Sequence, residues 1–324
     1  MPGSTSEHPS LDDIRAAARR IEPHIHRTPV LTCQAIDEAA GCEVFLKCEN
    51  LQKVGAFKAR GASNAVFSLT DAQASQGVVT HSSGNHAQAL AWAAARRGIP
   101  AHIVMPTNAP MVKKKAVLGY GGIVHDCEPT LQSRLKTCQR VAQETGGTVI
   151  PPYDDDRVIA GQGTIALELL GQVPDLDAIV IPVGGGGMIA GIAICAKALS
   201  PRLEIIGAEP ELVDDAARSR ASGRIEPHTG DPTRTIADGL RTTLGERTFP
   251  VIQELVDDII TVPESAIREG LRLVMERAKL VIEPSAAVGI AAVRSDSLRS
   301  KGYRRIGVVL CGGNLDLDAL PSLL

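Results

Sequence analysis

A single lysine among small and apolar residues is the first candidate for chemistry. It is the last residue of the segment Gly55-Ala56-Phe57-Lys58. A lysine held against apolar surface has a lowered pKa, so its amine can act as a nucleophile toward a carbonyl group. The alternative is an ordinary solvated lysine. The hypothesis therefore depends on whether the chain also carries a binding site for a carbonyl compound.

A glycine-rich loop is the second candidate, and its chemistry is anion binding. The apolar run 179–183 leads directly into Gly184–Gly187 and then into a helical pattern. Without Cβ atoms, backbone N–H groups can approach a phosphate, and the following helix N-terminus attracts negative charge. The alternatives are a flexible turn and a dinucleotide site. The dinucleotide fingerprint lacks its third glycine, because Ile189 stands there, although Glu204 and Glu209 lie near the distance of its acidic residue.

A third loop carries hydroxyl and amide groups in front of a helix. It comprises Ser82, Ser83, Gly84, Asn85 and His86, directly after a β-like run. Hydroxyls, an amide and free backbone N–H groups at a helix N-terminus can bind a carboxylate. Ser83 or Asn85 could also serve as the N-cap, which is compatible with binding. Together with the glycine-rich loop, this segment strengthens the hypothesis that Lys58 is a nucleophile.

The elements that must position these loops alternate between strands and helices. Short apolar runs lie between amphipathic helical patterns, which predicts an α/β protein with parallel sheets. The predicted strands cover 44–46, 77–80, 101–105, 122–124, 148–150, 178–183, 204–208 and 306–310. The predicted helices cover 11–25, 57–69, 85–97, 110–118, 131–144, 159–170, 188–199, 264–277 and 285–293.

The length predicts two domains. A chain of 324 residues holds about two domains at roughly 150 residues each. The block 60–148 contains four strand–helix alternations and is predicted to form a small domain on the substrate side. Residues 1–59 and 149–324 are then predicted to form a large domain, which carries the glycine-rich loop.

Composition excludes several classes of protein. The hydrophobic fraction of 44% excludes wholesale disorder, and a net charge of −3 offers no basic field for nucleic acid or an anionic membrane. Pro182 and the glycine run interrupt the apolar stretch 179–199, so no membrane span is expected. The 7 scattered cysteines include no CxxC pair, and the polar residues 1–9 predict a disordered lead without a signal peptide. We therefore expect a cytoplasmic protein.

The ordered set of motifs resembles a known enzyme family. The three loops above are followed by Cys311-Gly312-Gly313-Asn314. Together they resemble pyridoxal-phosphate enzymes of the tryptophan-synthase β fold (fold type II), and within them the serine/threonine dehydratases and serine racemases. The resemblance covers about 11–318 and implies two parallel-sheet domains with helices on both faces. Further matching segments are 158–164, 236–239 and 282–286.

The resemblance implies a role for each loop. Lys58 would hold pyridoxal 5'-phosphate as a Schiff base and later act as a base on one face of the substrate. Phe57 would back the cofactor ring, and Asn85 would bond its ring hydroxyl. The residues that would bind the cofactor phosphate are Gly184, Gly185, Gly186, Gly187 and Met188. The residues that would surround the substrate carboxylate are Ser82, Ser83, Gly84 and His86.

Four further positions carry roles implied by the resemblance. Ser83 would handle the proton on the face opposite Lys58, and Arg134 would lie on the substrate side. Cys311 would face the pyridine nitrogen, where Ser is usual and a subset of serine dehydratases has Cys. Without the resemblance, a buried small hydrophobe would be the better explanation of this residue. A thiol is a weak hydrogen-bond donor and would not protonate the ring nitrogen, so the ring would stay neutral. A neutral ring would stabilise the substrate carbanion less, which favours prompt loss of a leaving group. Tyr153, where vertebrate racemases have Asn, likewise favours elimination over racemisation.

An acidic turn is a candidate cation site. The resemblance implies that Glu209, the Val213 carbonyl and Asp215 bind a structural Mg²⁺ or Ca²⁺, for which oxygen ligands are suitable. The alternative is a solvated acidic turn. The family further implies a homodimer with an amino-acid substrate, and the net charge of −3 gives no reason to expect a nucleic-acid or membrane partner.

The expected function is an ammonia-lyase (dehydratase) that converts L-serine or L-threonine to a 2-keto acid and ammonia, with serine racemisation as a side activity. Three alternatives remain open: serine racemase as the main activity, dehydration of 3-hydroxyaspartate, and a non-catalytic nucleotide-binding protein. The 3-hydroxyaspartate alternative needs an extra cation near the pocket, and Arg134 is the candidate.

Overall fold

Two sheets, one of six strands and one of four, organise the chain in a computed structural model that describes residues 8–109 and 111–324. The predicted lead 1–9 and the start of the predicted helix 110–118 thus lie partly outside the described residues. The strands are β1 (Val30–Leu31), β2 (Glu43–Lys47), β3 (Val78–His81), β4 (Ala101–Pro106), β5 (Ile123–Cys127), β6 (Thr148–Val149), β7 (Ala178–Pro182), β8 (Glu204–Pro210), β9 (Asp258–Val262) and β10 (Arg305–Val309).

Fifteen α-helices surround these strands in the described part of the chain. The helices are α1 (Leu11–Ile21), α2 (Gln34–Ala40), α3 (Lys58–Phe67), α4 (Asp71–Ser75), α5 (Asn85–Arg97), α6 (Met111–Gly119), α7 (Leu131–Thr145), α8 (Asp156–Gln172), α9 (Gly187–Leu199), α10 (Asp215–Ser222), α11 (Thr248–Leu255), α12 (Glu264–Leu273), α13 (Pro284–Val293), α14 (Asp296–Arg299) and α15 (Leu320–Leu323).

The larger sheet has the order β1-β2-β10-β7-β8-β9, and every pair is parallel except β1 with β2. The smaller sheet has the order β5-β4-β3-β6 and is entirely parallel. On β10, Gly307 faces α8 and Val308 faces α13, because successive strand residues point to opposite faces. Helices therefore cover both faces of the larger sheet, and the predicted fold class is confirmed.

An aliphatic core fills each half of the molecule. The central strand β7 is buried at all five positions, as expected for a parallel strand covered on both sides. Helices α8 and α9 approach so closely that a Cβ at Gly191 would overlap the backbone of Ile159. This contact fixes α9, and with it the loop that precedes the helix.

Two helices, α1 and α12, end four residues before the predicted position. The helix predicted over 11–25 ends at Ile21, because Pro23 has no N–H group to continue it. The helix predicted over 264–277 ends at Leu273 and continues as one π-helical turn, Val274–Ala278. Val149 of β6 pairs with Val79 in the smaller sheet, and the domain limits 60–148 and 149–324 stay a prediction.

A buried cluster of charges lies beside α3. The Arg60 guanidinium donates to both oxygens of Glu49 at 2.8 Å and to Glu168 at 2.8 and 2.9 Å. Lys47 donates to the same Glu168 carboxylate at 2.7 Å. Arg60, Lys47 and Glu49 are fully buried and Glu168 is partly exposed, so two cations are balanced by two carboxylates in a largely buried cluster. The cluster links β2, α3 and α8.

Two observations concern the environment of the chain. All seven cysteines are free thiols. Among the described residues, no helix has both the length and the apolar character needed to cross a membrane.

Candidate active site

The candidate loops meet at the carboxyl ends of the parallel strands, where ligands of such sheets bind. The glycine loop follows β7, the serine loop follows β3, and Cys311 follows β10. A β-bridge joins Ala56 to Gly312, and the Phe57 N–H donates to the Cys311 carbonyl at 3.0 Å. These two contacts bring the segment that carries Lys58 next to the end of β10.

Lys58 is the first residue of α3 and is half-buried. Its amine donates to the Pro152 carbonyl at 2.6 Å and lies 5.0 Å from the centroid of the Phe57 ring. Burial lowers its pKa from 10.5 to about 8, while the nearby Cys311 and Glu283 act in the opposite direction. A larger fraction of the amine is therefore neutral near physiological pH than for a solvated lysine, as a nucleophile requires.

The glycine loop has no room for side chains. A Cβ at Gly185 would overlap the Tyr153 ring, and one at Gly187 would lie 2.9 Å from the Tyr153 backbone oxygen. Gly186 has a φ of +88°, in the left-handed region that favours glycine. Met188 follows, buried in the first turn of α9. This backbone cradle at a helix N-terminus fits a phosphate group.

The serine loop connects β3 to α5. The Gly84 N–H donates to the Ser82 hydroxyl at 3.3 Å, whereas the Ser83 hydroxyl has no hydrogen-bond partner in the part of the chain that the structure describes. The His86 ring bonds the Ile150 carbonyl through Nε2 at 3.0 Å. Burial, with the charge of Lys58 as a second cause, lowers the pKa of His86 to about 3. His86 is therefore neutral and donates from Nε2.

Sequence reasoning assigned no role to Glu283, which the structure places inside the site. The Asn85 amide donates to its two oxygens at 3.1 and 3.0 Å, and the Asn85 oxygen accepts from Asn314 at 2.9 Å. Burial raises the pKa of Glu283 to about 7, although the bonds from Asn85 oppose this. In the sequence, the one feature that sets Glu283 apart is that it is an acidic residue directly before Pro284 in a largely apolar segment. The contact predicted between Asn85 and a ring hydroxyl stays a prediction.

Cys311 is buried, with its Sγ 3.9 Å from Glu283 Oε1. Burial and the neighbouring Glu283 raise the pKa of the thiol well above its usual value, so it stays protonated. A buried neutral thiol is a weak donor, which agrees with the sequence-based expectation. Its role toward a ring nitrogen stays a prediction.

Arg134 lies on α7, close to the start of the serine loop. Its Nε is buried and has no hydrogen-bond partner among residues 8–109 and 111–324. Burial lowers the pKa of His81, the residue before Ser82, and the charge of Arg134 lowers it further. A cation with unused donor capacity therefore lies near the predicted substrate carboxylate site.

The predicted cation site contains two buried carboxyl groups. Glu209 accepts from two backbone N–H groups at the start of α10, each at 3.0 Å, and burial with the nearby Asp215 raises its pKa. Burial raises the pKa of Asp215 to about 7, although the backbone N–H groups of Leu244 and Asp215 oppose this. Within the described residues the carboxyl oxygens have no hydrogen bond of ordinary geometry, and His228 Nδ1 lies 3.1 Å from Oδ1.

This donor set fits a hard cation, since uncompensated buried carboxylates are costly. Val213, whose carbonyl is the third predicted ligand, lies between Glu209 and Asp215 in the sequence, and it is buried. Among the described residues, however, no group of three or more His, Cys, Asp or Glu side chains is arranged to hold a metal. An ion bound by Glu209, Asp215 and a carbonyl would therefore need water to complete its coordination.

Comparison with known proteins defines the class. The family model described as "Pyridoxal-phosphate dependent enzyme" matches residues 21–312, so the chain belongs to this family. A serine racemase of Arabidopsis thaliana is 52% identical, over 95% of this chain and 93% of that protein. A β-hydroxyaspartate dehydratase of Paracoccus denitrificans is 48% identical, over 97% and 98%. The structure of maize serine racemase superposes with a TM-score of 0.94 at 48% identity, over 97% and 96%.

The family resemblance inferred from the motifs is thereby confirmed, and pyridoxal phosphate is the cofactor that the family implies. The residues of this chain fit that cofactor on two independent grounds. A half-buried lysine with a lowered pKa can bind its carbonyl carbon, and a glycine cradle can hold its phosphate.

Proposed function

We propose that this protein is a pyridoxal-phosphate-dependent ammonia-lyase that converts L-serine or L-threonine to a 2-keto acid and ammonia, with serine racemisation as a side activity. The observation that carries the proposal is the joint placement of the Lys58 amine, the glycine cradle and the serine loop at the carboxyl ends of parallel strands of the two sheets. The dehydratase and racemase relatives at 48–52% identity support this reaction class.

Bound pyridoxal phosphate supplies an electron-accepting ring that stabilises negative charge developing at the substrate Cα. In our proposal, Gly184–Gly187 and Met188 bind its phosphate, and Phe57 supports its ring. The serine loop binds the substrate carboxylate, with His86 held neutral by burial. Lys58 removes the α-proton on one face, and Ser83 exchanges a proton on the other.

The chemical nature of Cys311 favours elimination over racemisation. Its thiol stays protonated and is a weak donor, so it adds little positive charge beside the cofactor ring. Negative charge at Cα is then less stabilised, which favours rapid departure of the β-hydroxyl over return of a proton from Ser83. A difference of about 1.4 kcal/mol between the two barriers changes the product ratio tenfold.

The proposal is tested by product analysis with pyridoxal phosphate present. Keto acid, ammonia and D-amino acid are measured with L-serine, D-serine, L-threonine and 3-hydroxyaspartate as substrates. We expect keto acid to exceed D-serine when L-serine is supplied. An excess of D-serine would favour the racemase alternative. A colourless protein that takes up no pyridoxal phosphate would refute the enzyme proposal and favour nucleotide binding.

A second candidate substrate is 3-hydroxyaspartate, and the unpaired buried Nε of Arg134 favours it. We expect Arg134→Met to lower kcat/KM for 3-hydroxyaspartate by about 10–100-fold, the value of a lost hydrogen bond to a charged group. Activity with L-serine should fall far less, since L-serine has no second carboxylate. Arg140→Met, which removes an exposed arginine from the same helix, is the control. Equal losses with both substrates would contradict a role in binding the second carboxylate, because both substrates carry the α-carboxylate.

We also propose that Glu209, the Val213 carbonyl and Asp215 hold a structural Mg²⁺ or Ca²⁺. Chelation by EDTA should lower the melting temperature of this 324-residue chain by roughly 4 °C, because an ion at about 100 times its Kd stabilises by ~2.7 kcal/mol. Added Mg²⁺ or Ca²⁺ should restore it, and Asp215→Asn should remove the response. An unchanged melting temperature under EDTA would argue against the ion.

Three further features belong to this proposal. We propose that the protein is a cytoplasmic homodimer, as the scattered cysteines and the family resemblance indicate. We also propose that 60–148 is the substrate-side domain and that 1–59 with 149–324 is the cofactor domain. The arrangement of the serine loop in the smaller sheet and the glycine loop in the larger one supports this division.

A further inference from the structure

One buried hydroxyl touches the glycine loop from the side of α11. Thr248, the first residue of α11, is fully buried, and its Oγ1 lies 2.8 Å from the Gly185 carbonyl oxygen. The Gly245 N–H donates to the same hydroxyl at 2.9 Å. Neither sequence motif nor family match drew attention to this residue.

The two bonds define the direction of the hydroxyl proton. Because Oγ1 accepts from the Gly245 N–H, its own proton is free to be donated. Two carbonyls are within reach, Gly185 at 2.8 Å and Gly245 at 3.2 Å. The Gly185 carbonyl is the closer of the two, so the Thr248 hydroxyl donates to Gly185 while it accepts from the Gly245 N–H.

This bond sets the orientation of a peptide group in the cradle. The peptide that joins Gly185 to Gly186 is trans and planar, so its N–H points opposite to its carbonyl. With the carbonyl held against α11, the Gly186 N–H points away from α11. Across residues 8–109 and 111–324, the Gly185 and Gly186 N–H groups donate to no protein acceptor. They are therefore available to an anion.

Position 186 requires glycine, because of both its backbone conformation and its close neighbours. Gly186 has a φ of +88°, and a Cβ there would lie 2.8 Å from both Thr248 Oγ1 and Ile252 Cδ1. Two adjacent glycine peptides turn freely in the absence of a constraint. The Thr248 hydroxyl supplies that constraint, while Ile252 supplies packing alone.

We infer that Thr248 is a positioning residue for phosphate recognition: its hydroxyl fixes the Gly185–Gly186 peptide so that the Gly186 N–H is presented to the cofactor phosphate. The inference rests on the proposed function, since it assumes that the glycine loop binds the phosphate of pyridoxal phosphate. It predicts a defect that is specific for the phosphate group and leaves attachment at Lys58 intact.

The test compares pyridoxal 5'-phosphate with pyridoxal, which has the same aldehyde and no phosphate. Binding of each to the full-length cofactor-free protein is measured by absorbance titration. We expect Thr248→Val, which keeps the shape and removes the hydroxyl, to weaken pyridoxal 5'-phosphate binding about tenfold. Pyridoxal binding should not change, and Thr248→Ser should restore phosphate binding.

Two control variants separate this role from general effects. Thr145→Val removes a hydroxyl with the same pattern, a donor to Val141 at 2.8 Å and an acceptor from Gly147 at 3.1 Å, in the smaller-sheet region. Ile252→Val removes packing against the loop without removing a hydrogen bond. Neither should discriminate between the two ligands.

The affinities of Thr248→Val for the two ligands decide whether the inference holds. If Thr248→Val binds both ligands like wild type, or loses both equally, the inference is wrong. If Thr248→Val does not fold, Thr248→Ala is measured against Thr248→Ser by the same ratio of affinities. A wild-type protein that binds no pyridoxal 5'-phosphate would refute the proposed function, and the inference with it.

Discussion

Replacement of Lys58 by alanine is expected to lower keto-acid formation from L-serine by at least about 10⁴-fold, because in the function we propose this one residue serves as both nucleophile and base. The amine lies in a buried position with its pKa lowered to about 8, next to the glycine cradle. No neighbouring lysine of the described site offers the same geometry. The visible absorption of the cofactor-loaded protein should be lost together with activity.

A second measurement follows the same residue in the wild-type protein. The neutral amine attacks the aldehyde, so the rate of cofactor capture should rise with pH through about 8 and then level off. Lys136→Ala, an exposed lysine on α7, should behave like wild type. Capture that rises only near the ordinary lysine pKa of 10.5 would contradict the buried environment described for Lys58. Retention of the visible band in Lys58→Ala would contradict its role altogether.

Replacement of Arg60 by methionine is expected to destabilise the protein by about 3–5 kcal/mol. The guanidinium holds Glu49 and Glu168 through four hydrogen bonds, and Glu49 is fully buried. Without Arg60, Lys47 alone faces two carboxylates, and one buried negative charge stays uncompensated. The melting temperature should fall by roughly 4–7 °C for a chain of 324 residues.

The matched control is an exposed ion pair. Arg140→Met breaks the pair of Arg140 with Glu144 on the surface of α7, where we expect a loss within about 1 kcal/mol. Combining Arg60→Met with Glu49→Leu restores the charge balance, so the double variant should be more stable than Arg60→Met alone. A double variant that loses the sum of both single effects would show that charge balance is not the cause.

The sequence predicted the fold because its signals are local. Buried β7 appears as a continuous apolar run, and the loop Gly184–Gly187 appears as a strand-to-helix connection. The helix end at Ile21 could also have been predicted, because Pro23 is a local stop signal. The prediction instead followed the apolar spacing, which continues to Ile25. Strand β9 was missed although Ile259–Val262 are all β-branched, a residue type that favours strands; its place at the sheet edge depends on pairing with the distant β8.

The missed parts of the site depend on contacts between distant segments. Glu283 binds Asn85 across 198 positions, and Thr248 binds Gly185 across 63. Arg60 joins Glu168 across 108 positions, and no local pattern distinguishes this buried arginine from a solvated one on a helix. Such contacts are determined by tertiary packing, so residue spacing alone could not show them.

The position of β10 has a consequence for the order of events during synthesis. This strand lies between β2 and β7 in the six-stranded sheet, and Arg305 pairs with Glu43. The sheet therefore cannot close on the ribosome until nearly the whole chain has been translated. The strands of the four-stranded sheet are contiguous in the chain, from Val78 to Val149, and can pair much earlier. Since domains form as units during translation, the sheet beside the serine loop assembles first, and the segment that carries Lys58 gains its contacts with Cys311 and Gly312 only after β10 emerges.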